Sequence, residues 1–175
     1  MKKIMWLIIL TIIFLLFALS NVLGENLIVN KAKAEIGNGE IGGNNKGDYV
    51  KKYNRGLEAP WCAGFVSYIL TESNIDSLEY SLSAKAIYNE AKQENRLTDY
   101  PQAGDLIVFW RGSKGSWKGH IGIIEKIANN AVHTIEGNIG AYPAKVSRFK
   151  YDVGNIPKLL GFIRTDKIKV EFAAK

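Results

Sequence analysis

Cys62 is the only cysteine in the chain, and His120 and His133 are the only histidines. A thiol attacks a carbonyl efficiently only as its thiolate, and the amine that leaves a broken amide must collect a proton. A cysteine at a helix start beside an imidazole meets both demands, because the helix N-terminus and an imidazolium each favour the thiolate. A lone cysteine cannot close an internal disulfide, so Cys62 is either a packed core thiol or a nucleophile. Of the two histidines, His120 stands at the mouth of a strand, directly after a loop that ends at Gly119. Catalytic groups are commonly displayed at such places. His133 falls inside the next strand. Alternation places Val132, Thr134, Glu136 and Asn138 on one face of that strand and His133 on the other. Glu136 and Asn138 are therefore candidates to serve His120: Glu136 to accept a hydrogen bond from the ring, Asn138 to contact the ring or a developing oxyanion. The backbone N–H of Cys62 is a further oxyanion donor. The expected catalytic set is Cys62, His120, Glu136 and Asn138.

These groups need elements to hold them. Cys62, Val66 and Ile69 recur at i, i+4 and i+7, one face of a helix, and Pro60 occupies what reads as its first helical residue. Leu27 to Ile36 and Asp48 to Asn54 read as shorter helices, separated by a glycine-rich loop. Ser83 reads as the N-cap of another helix, with Ala84, Ile87, Tyr88 and Ala91 inward. After Pro101 the pattern changes to strands: Leu106 to Trp110, then Ile121 to Ile127 and Ala131 to Ile135 joined by Asn129-Asn130, a hairpin signal. Lys145 to Phe149 and Leu159 to Thr165 are weaker strand candidates. Helices followed by strands predict an α+β domain, with N-terminal helices packed on an antiparallel β-sheet. Asp105 is expected to make structural hydrogen bonds at the strand entrance. Trp110 and Trp117 flank the loop before His120 and could line a cleft or simply pack.

Four short segments also carry a resemblance. Pro60-Trp61-Cys62-Ala63-Gly64-Phe65-Val66 resembles the nucleophile helix of CHAP domains, the cysteine- and histidine-dependent amidohydrolases/peptidases. Pro101 and Gly104-Asp105 before Leu106-Ile107-Val108-Phe109 resemble that family's strand entrance. Gly119-His120-Ile121-Gly122-Ile123 is similar to its histidine motif, and Glu136-Gly137-Asn138 to its Glu-Gly-Asn segment. Each is weak alone; in this order, from about Lys31 to Arg164, they are specific. The resemblance implies a papain-like fold and cleavage of peptidoglycan, with Cys62 as nucleophile, His120 as base, Glu136 as third member and Asn138 beside it. Some relatives bind calcium in an acidic loop before the cysteine. Here that stretch offers only Glu40, Asp48 and Glu58, so no metal and no cofactor are expected.

The N-terminus reads as an address. Lys2 and Lys3 precede an apolar stretch from Ile4 to Leu19 broken only by Thr11, and Ser20, Asn21 and Gly24 end it. A basic start, an apolar middle and small residues describe a signal peptide, with Ala18 and Ser20 or Val22 and Gly24 at its cleavage positions. The run from Ile4 to Leu23 also approaches the roughly 20 residues that span a bilayer, so an uncleaved anchor is the alternative. Either way residues 1–24 are the targeting segment and residues 25–175 the CHAP-like domain, exported to the envelope, periplasm or medium.

The formal charge is +6, and setting Lys2 and Lys3 aside leaves 21 basic against 17 acidic residues. That modest excess suits an anionic polymer such as a cell wall. No Lys/Arg run exceeds two and no Cys/His spacing suggests a finger, which argues against nucleic acid. The expectation is thus an exported monomeric cysteine hydrolase acting on peptidoglycan amide bonds, as a stem-peptide endopeptidase or an N-acetylmuramoyl-L-alanine amidase. An acyl- or peptidyl-transferase using the same intermediate, and a membrane-tethered binding protein without turnover, are the alternatives.

Overall fold

A computed structural model of the chain describes residues 27–75 and 78–165. The targeting segment expected at residues 1–24 lies outside them. Among the described residues no helix is long and apolar enough to cross a membrane.

Four helices come first: α1 (27–34), α2 (Asp48–Tyr53), α3 (Cys62–Glu72) and α4 (Ala84–Gln93). Six strands follow: β1 (Leu97–Thr98), β2 (Leu106–Trp110), β3 (Gly119–Ala128), β4 (Ala131–Glu136), β5 (Ser147–Asp152) and β6 (Leu159–Ile163). They form one sheet in the order β1-β6-β2-β3-β4-β5, with every pair antiparallel. The α+β reading therefore holds, helices on one face of an antiparallel sheet.

The local signals explain most of these elements. Ser83 accepts a hydrogen bond from the Ala86 N–H at 3.2 Å, capping α4. Asn129 and Asn130 both adopt positive φ, 53° and 57°, as a tight hairpin turn between twisted strands requires. Asp105 accepts from the Gln102 N–H at 2.9 Å and pairs with Arg164 at 3.2 Å, fixing the entrance to β2. Three expectations shift. Pro60 lies outside α3, which is N-capped by Trp61 and begins at Cys62. The strand expected at Lys145 to Phe149 is β5 and starts at Ser147, because the residues before it bond to the glycine-rich loop, Gly37 N–H to Val146 O and Glu40 N–H to Ala144 O. The two-residue β1, pairing with β6, had no sequence signal of its own.

Strand β2 is buried on both faces, which is why its sequence is a continuous apolar run. Leu106 and Val108 join Ile121, Ile123 and Ile135 in the main core beneath the helices. Ile107 and Phe109 point the other way, with Ile124 and Val132, into a smaller cluster that Tyr151, Ile156 and Phe162 cover. His120 is the cross-strand partner of Phe109, so it shares that second face. Each apolar side chain so buried contributes about 1.5–3 kcal/mol. The start of β3 and the end of β4 fall at the same end of the sheet, where α3 also begins.

Candidate active site

The nucleophile helix is fixed at its first turn. Trp61, fully buried, stacks on Tyr53 with centroids 5.5 Å apart. Its indole N–H donates to Glu40 Oε1 at 3.2 Å. Glu40 is itself buried and also accepts from the Asn45 N–H and the Ala144 N–H, both at 2.8 Å. One carboxylate thus ties the glycine-rich loop, the Cys62 helix and the segment leading to β5 together. Asn54, fully buried, donates to Ala59 O at 3.0 Å and holds the approach to the helix. Two glycines make these contacts possible. A Cβ on Gly64 would stand 2.0 Å from Asn54 Oδ1, and one on Gly137 2.4 Å from Trp61 Cζ3. The Ala-Gly-Phe and Glu-Gly-Asn segments therefore carry glycine for packing.

Cys62 is the first residue of α3, so its backbone N–H has no acceptor within the helix. Its thiol is nearly buried, 8% exposed, on the wall of a hollow of about 290 Å³ that Pro60, Ser83, Arg111 and Trp117 also line. Burial opposes charge on this thiol. The His120 imidazole, the Arg111 guanidinium and the Ala63 N–H outweigh it and hold the group below its ordinary value.

His120 is 3% exposed. Its Nε2 lies 2.7 Å from Glu136 Oε2. Nδ1 is buried and has no hydrogen-bond partner. Because Nε2 is occupied, Nδ1 is the nitrogen that faces the sulfur. Burial disfavours the imidazolium, yet Cys62 on one side and Glu136 on the other raise it to about 9. At neutral pH this favours the protonated ring, with Nε2–H donating to Glu136, and the two shifts together favour a Cys62–His120 ion pair.

Glu136 is wholly buried. A buried carboxylate needs donors, and it has them: the Thr134 hydroxyl donates to Oε1 while His120 serves Oε2. Burial and then the charge of Glu136 push the Tyr151 phenol above its ordinary range, so it stays protonated against the carboxylate. Gly122 faces this group as well; a Cβ there would stand 2.5 Å from Glu136 Cγ.

Cys62, His120 and Glu136 are brought together as expected. Asn138 is not joined to them: it is half-buried with φ 57°, lies in a bend two residues past the end of β4, and makes no hydrogen bond to His120 or Glu136. Glu136 makes the ring-orienting contact that two residues could have made. His133, as alternation predicted, pairs with Lys126 and Lys150 away from the site. Sequence reasoning missed Thr134 and Tyr151 as partners of Glu136, and Arg111 as a wall of the cleft. Thr134 was within reach, since it shares the face of Glu136. Of the three acids before the cysteine, Glu40 is engaged by backbone and indole donors and Glu58 by Lys51 at 3.2 Å. Among the described residues no group of three His, Cys, Asp or Glu side chains could hold a metal ion.

A thiol at a helix N-terminus, an imidazole against it and a buried carboxylate behind the ring form an arrangement that can support nucleophilic acyl transfer. Residues 52–138, from just before the nucleophile helix to Asn138, match the CHAP domain family. The chain carries a CHAP domain and belongs to that family. Among solved structures it resembles Ly7917, at 19% identity and a TM-score of 0.55, over 80% of this chain and 62% of that one. It likewise resembles Ly7917 with the hydrolyzing product of MDP, at 20% identity and a TM-score of 0.52, with the same coverage. At that identity the likeness shows the fold, and the chain spans about three-fifths of the length of these structures. Curated proteins give no match.

Proposed function

We propose that this chain is an exported cysteine hydrolase that cuts amide bonds of peptidoglycan, within the stem peptide or where the stem joins the sugar. The observation that carries the reading is the buried Cys62–His120–Glu136 series, in which each group accounts for the ionisation of the next. Membership of the CHAP family supports it, as does a similar fold in a protein whose structure holds the hydrolyzing product of MDP. The basic, then apolar N-terminal segment supports export, by cleavage or by anchoring.

In this reading the Cys62 thiolate attacks the scissile carbonyl carbon, and the oxyanion that forms meets the backbone N–H of Cys62. As the C–N bond breaks, the proton on His120 Nδ1 passes to the leaving amine and an acyl-thioester remains on the sulfur. A water then attacks the thioester carbonyl as the neutral ring takes its proton; the C–S bond breaks, the acid leaves, and the Cys62 thiolate and His120 imidazolium are restored. Glu136 holds the ring with Nδ1 aimed at the sulfur throughout.

Digestion of purified peptidoglycan by the protein, with mass analysis of the fragments, tests the proposal and identifies the bond. New amine and carboxyl ends that disappear with Cys62→Ala are expected. Fragments from Cys62→Ala equal to those of the unaltered protein would contradict it. Transfer to an added amine in place of water would appear in the same spectra as an adduct.

A further inference from the structure

The catalytic groups lie between two hollows, and one side chain lines both. The larger, about 290 Å³, has Cys62, Arg111, Trp117 and Lys118 on its walls. The smaller, about 160 Å³, has His120, Arg111, Trp110, Tyr151 and Lys158. No carboxylate lines either hollow, so every charged side chain that could meet a ligand there is a cation. Two of the three cations outside the catalytic pair are engaged: Lys118 lies over the Trp117 ring at 5.7 Å and Lys158 over the Trp110 ring at 5.5 Å. Arg111 has no ion pair, side-chain hydrogen bond or ring contact among the described residues. Its backbone, by contrast, is held. The Arg111 N–H donates to Lys118 O at 3.1 Å, and Ser116 Oγ donates to Arg111 O at 2.6 Å. Lys85 of α4 in turn donates to Lys114 O at 3.1 Å, tying the loop to the helices.

We propose that Arg111 is the substrate-carboxylate anchor of this cleft, and that the preferred substrate carries a free carboxylate next to the scissile amide. The inference rests on the hydrolase reading above and names its substrate class. A guanidinium offers a planar fork that fits a carboxylate with two parallel hydrogen bonds, and it does not lose its proton at any working pH. Arg111 is exposed, its backbone is fixed, and its head group borders both the hollow of Cys62 and the hollow of His120, where a ligand's carboxylate can reach it. The same cation stabilises the Cys62 thiolate when the cleft is empty. An anionic substrate arriving at Arg111 neutralises that help, which leaves the thiolate more basic and more nucleophilic at the moment of attack.

Two measurements on the whole protein test this. First, Cys62 is alkylated with iodoacetate, which bears a carboxylate, and with iodoacetamide, which does not. Both reagents need the thiolate, so the ratio of their rates cancels any change in thiol ionisation. Arg111→Gln is expected to lower the iodoacetate-to-iodoacetamide ratio by about three- to tenfold, the loss of one near charge, and Arg111→Lys to restore part of it. An unchanged ratio overturns the proposal. Second, two synthetic stem peptides are compared, one with a free carboxylate and one with a carboxamide beside the scissile bond. The unaltered protein should favour the carboxylate in kcat/KM, and Arg111→Gln should erase the preference, mainly through KM. Equal losses on both peptides would overturn the assignment. If neither peptide and no peptidoglycan is cut, the hydrolase reading falls, and the alkylation ratio still decides whether Arg111 holds a carboxylate over Cys62.

Discussion

Glu136 Oε2 stands 2.7 Å from His120 Nε2, and this single contact decides which nitrogen of the ring faces Cys62. With Nε2 committed, the buried Nδ1 is the ring nitrogen left to serve the sulfur. The carboxylate is beyond the reach of solvent, so its charge acts on the ring at low dielectric and keeps the imidazolium formed.

That electrostatic arrangement sets the pH range of activity. His120 is raised from 6.5 to about 9, while Cys62 is lowered from 9.0. Both shifts favour the ion pair, so turnover should fall as pH rises through about 9, where His120 loses its proton, and should fall on the acid side where the thiol takes one up. Glu136→Gln keeps the shape and removes one of the two anions that raise the ring. The alkaline limb should move toward neutrality, and kcat should fall by about 10²-fold or more. Rate measurements across pH on both proteins check this; an alkaline limb that stays in place would show that Glu136 does not tune the ring.

Thr134 tests whether the carboxylate depends on its second donor. Thr134→Val is nearly the same shape and takes the Thr134 hydroxyl away from the buried Glu136 Oε1. A loss of about 1–3 kcal/mol in denaturant unfolding is expected, whereas Thr134→Ser, which keeps the hydroxyl, should restore most of it.

Gly122 and Gly137 make opposite demands on the same site. An alanine at 122 drives Glu136 away from His120, since its Cβ would stand 2.5 Å from Glu136 Cγ. An alanine at 137 meets the Trp61 ring at 2.4 Å and displaces the start of the Cys62 helix. Each should cost about 1–3 kcal/mol of stability. Activity measured at a temperature where the variant remains folded should fall further than stability alone explains. Full activity in folded Gly122→Ala would mean that the Glu136 position is not critical.

Much of this site was legible before any coordinates. The i, i+4, i+7 spacing located the Cys62 helix, strand alternation separated Glu136 from His133, and Asn129-Asn130 marked the hairpin turn, but the register shift between Ile124 and Lys126 that aligns Glu136 with the start of β3 had no sequence signal. What stayed hidden depended on contacts between distant segments. Tyr151 reaches Glu136 only because β5 pairs with β4 in one register, Val132 opposite Tyr151, and nothing local specifies that pairing. Glu40 looked like a loop acid because its three donors come from residues 45, 61 and 144. Pro60 was read as the first helical residue by its chemistry, but Trp61 occupies the N-cap position and the helix starts at the nucleophile. Arg111 was passed over because a lone arginine in a glycine-serine loop has no signature until the fold sets it beside both hollows.

The most direct test of the Cys62–His120 pair is the rate of Cys62 alkylation by iodoacetamide across pH, in the unaltered protein and in His120→Ala. An ion pair predicts rapid modification that persists below pH 7 and becomes slow in His120→Ala, whose thiol should titrate at or above the ordinary value. Identical profiles in the two proteins, both rising only near pH 9, would contradict the account.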